Sequence, residues 1–265
     1  MNETNDTIEI MNKRRSVRAW EKTPISPDHL NSIIHATMRA PTAGNQMLYT
    51  ILQVDDQQKK DRLAKTCDNQ PMIAKAPLIL IFLADMQRWY DFYASSGVKE
   101  LCEKKNLTYR TPQESDMFIA LCDALIAAQN AVIAAESLGI GSCYIGDIME
   151  HIEIHREMFD LPKWVFPITM LCFGYPKSKN KNPKLNSRFD EKFVYFHDAY
   201  KRFGKKDFDE MFKESIENFN KMEKKPLNVE NYGQAFYMRK TGSDFAIEME
   251  RSVKKAIKDW NEAQS

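Results

Sequence analysis

The sequence lacks any Cys-x-x-Cys pair; its five cysteines, Cys67, Cys102, Cys122, Cys143 and Cys172, are odd in number and widely spaced. That pattern argues against a disulfide framework and against a zinc knuckle, and predicts reduced thiols in a cytoplasmic protein. An excess of charge is lacking too. Lys plus Arg number 38 against 37 Asp plus Glu, and the resulting net charge of +1 gives no long-range field to gather nucleic acid or an anionic membrane. Met1 to Arg15 is polar, without the apolar stretch of an export signal, so no export is expected. The longest apolar run, Met117 to Leu138, is interrupted by Asp123, Gln129, Asn130 and Glu136. It reads as the central helix of a large core or of a subunit interface, not as a membrane span. There is no repeat of fixed period, and the one biased tract is the Lys/Asn-rich loop at 177–188.

What is present is globular composition, 43% hydrophobic and 11% aromatic over 265 residues. That length suits one main domain, taken as residues 1–200, with an appended segment at 201–265. Thr7–Asn12 predicts a short helix. Ser26-Pro27 followed by Leu30, Ile33, Ile34 and Met38 predicts a longer one, ending near Pro41. Tyr49–Val54, Leu78–Ala84 and Phe166–Phe173 are runs of buried-strand character, with a helical stretch at Lys59–Cys67. The segment Trp89–Glu114 predicts a helical excursion, Gly139 a left-handed cap on the long helix, and Met149–Phe159 a further helix. In the tail, Phe208 to Met222 and Phe245 to Trp260 carry apolar residues at helical spacing, and Pro226–Arg239 between them reads as irregular. Both tail helices need an apolar partner, on the core or on a second subunit.

Four segments can carry chemistry. Arg14-Arg15-Ser16-Val17-Arg18 offers guanidinium forks and a hydroxyl suited to a phosphate, although such a run is often only a solvated basic turn. Thr42-Ala43-Gly44-Asn45 lies between a helix and a strand and can bring backbone N–H groups close to a flat polar ring; an ordinary turn reads the same way. Tyr144-Ile145-Gly146-Asp147 follows the long helix, with Gly146 permitting close backbone approach. Arg188 is a second phosphate ligand or a solvated cation. His151 and His155 stand one helical turn apart, but the Glu of the zincin pattern is absent, so no metal is expected.

Together the runs RRSVRAW, RAPTAGNQMLYTILQV, AKAPLILIFLAD, ALIAAQNAVIAAESLGIGSCYIGDI, LPKWVFPITMLCFGYP and SRFDEKFVYFHDAY resemble the nitroreductase family, in the longer flavin reductase branch with a C-terminal extension. The resemblance implies an α+β, three-layer fold with a mixed, mostly antiparallel sheet flanked by helices. It implies an FMN-dependent enzyme taking hydride from NADH or NADPH in a ping-pong cycle, through flavin N5, and passing it to an electron-poor small molecule such as a nitroaromatic. Reduction of flavins, quinones or enones at the same site is the alternative, and flavin binding without turnover is a further one. It also implies a homodimer with FMN at the subunit interface.

Carried onto this sequence, Arg14, Arg15 and Ser16 match positions that hold the FMN phosphate and ribityl chain, and Arg18 a basic position at the pyrimidine side of the ring. Thr42, Ala43, Gly44 and Asn45 match the ring-contacting loop, usually supplied by the other subunit. Gln70 matches a ring-contacting glutamine, Tyr144, Ile145, Gly146 and Asp147 the stretch near N5, and Arg188 an arginine closing over the phosphate. Three departures stand out. Met47-Leu48 replaces a common Pro-Trp, which is expected to soften the pocket floor; Asp147 replaces a second glycine; and Asn186 replaces a common lysine, for which Lys184 is a candidate substitute.

Overall fold

The computed structural model describes residues 5–177 and 185–262. Lys184 and most of the Lys/Asn-rich loop fall outside the described residues. The chain divides into two compact units, Met1–Pro183 with Glu248–Ser265, and Lys184–Ile247.

The first unit contains α1 (Asp6–Lys13), α2 (Pro27–Met38), β1 (Tyr49–Gln53), α3 (Gln57–Thr66), β2 (Leu78–Asp85), α4 (Gln87–Ser95), α5 (Val98–Lys104), α6 (Glu114–Ser137), β3 (Gly141–Ile145), α7 (Ile152–Met158) and β4 (Val165–Gly174). The strands form one sheet in the order β1-β2-β4-β3, and every neighbouring pair is antiparallel. A single parallel bridge, Ser16 to Ser142, adds the N-terminal segment to its edge. The fold is α+β in three layers. Alternation along β2 builds two cores: Leu80 and Phe82 face the helical layer holding Ile33 of α2 and the alanines of α6, while Ile79, Ile81 and Leu83 face Leu63 and Ala64 of α3. All eight residues of β2 are buried, as expected for a central strand covered on both faces. Pro167 lies inside β4, where the register slips between Phe82 and Leu83 of β2; such an irregularity accommodates a residue without an N–H.

α6 approaches the sheet closely because its inner face is made of small side chains. Ala120, Ala124, Ala127, Ala128, Ala131 and Ala135 are all fully buried. It is the one helix among the described residues long and apolar enough to cross a membrane, and it is the central helix of this core. Gly139, at φ 71°, follows its last turn in the left-handed conformation expected.

The second unit carries α8 (Lys205–Met211), α9 (Lys213–Asn220) and α10 (Tyr232–Arg239). The helix expected over Phe208–Met222 is therefore two, divided at Phe212. The stretch expected to be irregular contains α10, because Asn231 accepts a hydrogen bond from Gln234 N at 3.0 Å while the Gln234 side chain accepts from Glu230 N at 2.8 Å. The last helix, α11 (Asp244–Asn261), buries Ala256 and Trp260 in a third apolar cluster with Met117, Ala120, Trp164 and Phe166.

Candidate functional site

The arginine segment is placed by two glycines. Gly141 and Gly174 face each other across β3 and β4, and a Cβ on either would stand 2.5 Å from Val17 or 2.7 Å from Trp20. Their missing side chains form a slot that seats Val17 and Trp20, with Val17 N donating to Ser142 O at 2.8 Å. Arg14, Arg15, Ser16 and Arg18 are thereby strung along the free edge of β3. Neither glycine stands out in the sequence, where a glycine needed for close approach looks like any other.

The electrostatics here favour an anion. Arg14 Nη1 and Ser142 Oγ are buried without a hydrogen-bond partner among the described residues. Glu136, on the last turn of α6, is the nearby carboxyl. Burial pushes it up to about 7 against the pull of Arg14 and Arg15, so it neutralises the two guanidinium groups incompletely at neutral pH. Buried, unpaired guanidinium and hydroxyl groups suit a phosphate, whose oxygens supply the missing acceptors. Burial also raises the Cys143 thiol, with Arg18, Ser16 and Arg14 opposing and Asp147 reinforcing, which places these residues in one neighbourhood.

Tyr144, Ile145, Gly146 and Asp147 run from β3 into a short helical turn, Gly146–Met149. The Tyr144 hydroxyl, pushed up to about 12 by burial, donates to Gln129 Oε1 at 3.1 Å. Gln70, after the end of α3, comes to the same place: its Nε2 donates to Asp147 Oδ2 at 2.8 Å and to Cys67 O at 3.1 Å. Gln70, Tyr144, Asp147 and the Arg14–Arg18 segment thus gather at the β3 side of the sheet.

The Thr42–Asn45 loop does not join them within one chain. It leads into β1, at the opposite edge, three strand spacings or about 14 Å from β3. The loop is also firm, where the Met47-Leu48 departure suggested a soft floor. Asp123 of α6 accepts hydrogen bonds from Ala43 N (2.9 Å) and Leu48 N (3.1 Å), Met47 N donates to Thr42 Oγ1 (3.2 Å), and Trp89 Nε1 donates to Gln46 O (2.9 Å). These bonds hold Gly44, Asn45 and Met47 at φ 54°, 56° and 51°. Proline cannot reach the Met47 angle, so the backbone path here differs from one built on Pro-Trp. In the sequence Asp123 registers only as a break in an apolar run; its role as the loop's anchor depends on a contact 75 to 80 residues away.

Arg188 lies in the second unit, exposed, with Nη1 donating to Ser187 O at 3.4 Å. His151 pairs with Glu248 at 3.0 Å. His155 is fully buried between Thr66 Oγ1 and Ile148 O, each at 2.8 Å, and burial lowers it to about 4, so it stays neutral.

A fold and site of this kind define a class, and residues 11–175 match the model of the nitroreductase family: the chain belongs to that family. It is 32% identical to a Bacillus subtilis "FMN reductase [NAD(P)H]" over 182 residues, covering 68% of this chain and 70% of that protein. It is 28% identical to an "Oxygen-insensitive NADPH nitroreductase" of Salmonella typhimurium, covering 76% and 77%. Among solved structures it is similar to an oxidoreductase from Bacteroides fragilis, with a TM-score of 0.78, 28% identity and coverage of 95% and 98%.

Proposed function

We propose that this protein is an FMN-dependent NAD(P)H oxidoreductase that reduces electron-poor acceptors, nitroaromatics and free flavins among them, as a cytoplasmic homodimer. One observation carries the reading: a buried guanidinium nitrogen of Arg14 and the buried Ser142 hydroxyl, both lacking partners among the described residues, beside Arg15 and Ser16 on the edge of β3. Bound there, FMN supplies the two-electron hydride chemistry that protein side chains lack. Arg14, Arg15 and Ser16 hold the phosphate and ribityl chain, and Arg18 puts positive charge by the ring. Tyr144–Asp147 and Gln70 line the ring's reactive side. Residues 1–200 carry this site, and 201–265 form the helical extension.

The dimer is supported by two features. The ring-facing loop Thr42–Asn45 and the arginine segment lie at opposite sheet edges, so one chain does not close a site around a single ligand. The outer face of α6 also exposes Phe118, Ile119, Leu125 and Ile126, an apolar stripe that a second copy of α6 can cover. A partner then brings its loop to the arginine edge. Arg188 is proposed as a further phosphate ligand.

The test is spectroscopic. The purified protein is expected to be yellow, to bleach with NADH or NADPH without oxygen, and to recover its colour on adding a nitroarene. Arg14→Ala and Arg15→Ala should each weaken FMN binding by about 1.5–3 kcal/mol and leave riboflavin binding nearly unchanged, because only FMN bears the phosphate. Equal loss of both ligands would overturn the phosphate assignment.

A further inference from the structure

Gln70 spends both amide hydrogens inside the protein. Its Nε2 donates to Cys67 O and to Asp147 Oδ2, both pure acceptors, so the orientation of the amide is forced and Oε1 is the atom left free. Asp147 is in turn backed by Glu150, just past the end of the same short helical turn, whose N donates to Asp147 O at 3.1 Å. Glu150 is 4% exposed, and its Oε1 is buried with no partner among the described residues. The charged groups around it are largely acidic: Asp147 on its own turn, Asp68 after α3, and Glu248 of α11. Of the cations nearby, His151 pairs with Glu248 and Arg251 with Glu153 and Glu248, while Arg62 of α3 lies by His155 of α7, which is itself neutral. Cys67 at the end of α3 is also held in its neutral form by burial and by the same two carboxyls. A buried carboxyl without a cation keeps its proton, and the Asp147 side chain is within its hydrogen-bonding reach.

We propose that Asp147 and Glu150 are a proton-sharing carboxyl pair that locks Gln70 with its carbonyl oxygen towards the cofactor site, and that the reduction potential of bound FMN is coupled to the proton on this pair. The proposal rests on the FMN reading above. Both residues are positioning residues: they act on the ring through Gln70 and through their charge. Two electrons added at the site raise the pair's affinity for a proton, which enters from solvent. Once Glu150 loses its proton, its negative charge opposes reduction. Burial and Asp147 push Glu150 up to about 8, which sets the window.

The holoprotein is titrated for FMN midpoint potential against pH, as wild type, Glu150→Gln and Asp147→Asn. The Asp147→Asn change keeps a side-chain oxygen for Gln70 and removes the charge, which separates the tie from the titration. The wild-type plot is expected to steepen around pH 8 and Glu150→Gln to keep one slope through that range, while Asp147→Asn, in which Glu150 stays buried, moves the steepening to lower pH. Infrared spectra of the oxidised protein should show a protonated-carboxyl C=O band that fades through the same range and is missing in Glu150→Gln. FMN retained with the same profile in all three proteins overturns this proposal and leaves the flavin reading standing. Wild type that takes up no FMN overturns both.

Discussion

Three carboxyl groups drawn in from solvent show how one chemical group takes different roles according to its donors. Asp123 accepts from two backbone N–H groups and so ties a loop to a helix. Its replacement by Ala strands both donors, so Asp123→Ala should lose about 2–5 kcal/mol in urea unfolding, with the Thr42–Asn45 loop loosened. Glu136 has two guanidinium groups near and is only partly satisfied; Glu150 has none. The consequence for stability has a definite sign. Glu150 rises from an ordinary 4.5 to about 8, so between those values the folded chain holds a proton that the unfolded chain has released, and stability falls as pH rises. Glu150→Gln should remove that decline, gaining about 1–3 kcal/mol on wild type at pH 9 relative to pH 5 in denaturant titrations. His155 acts oppositely. Its lowered value of about 4 means that stability is lost as pH falls from its ordinary 6.5.

Elements differ in how openly the sequence declares them. β2 and β4 announce themselves because they are covered on both faces and so are written in largely apolar runs, whereas the short β3 does not; α6 does because it needs alanines against a sheet. The division between α8 and α9 is hidden, since Phe212 closes one helix and opens the next without any Gly or Pro to mark it. α10 is legible in principle from Asn231 and Gln234, but its side chains lack a clear apolar stripe. At the site, clustered residue types such as Arg14–Arg18 can be read locally. The Gly141–Gly174 slot and the Asp123 anchor exist only through pairing across the fold. Trp260 is buried, donates from Nε1 to Gln113 O and accepts from Trp164 Nε1 at its carbonyl, so Trp260→Ala should cost about 3–5 kcal/mol in denaturant titrations and free α11. Phe118→Lys with Ile126→Lys, on the exposed face of α6, should break the proposed dimer in sedimentation velocity and with it the proposed FMN site.

At the scale of the whole molecule, the sheet unit is held by three apolar clusters, whereas in the second unit Phe193 and Phe219 are the buried hydrophobic residues among those described. Amides of α8, α9 and α10 should therefore exchange with deuterium well before those of β2 and β4. The separation of the two ligand-facing segments across the sheet has a further consequence, one that concerns pairs of alleles. In the proposed dimer a chain defective in Arg14 and a chain with Gly44→Val, which strains a backbone at φ 54°, each ruin a different half of the pocket. When the two are co-expressed, about half of randomly assorted pairs are mixed, and each mixed pair rebuilds one intact pocket from its two healthy halves, restoring about a quarter of the sites. Two dead genes would complement one another, and the yield of that rescue would count how many chains it takes to make one pocket.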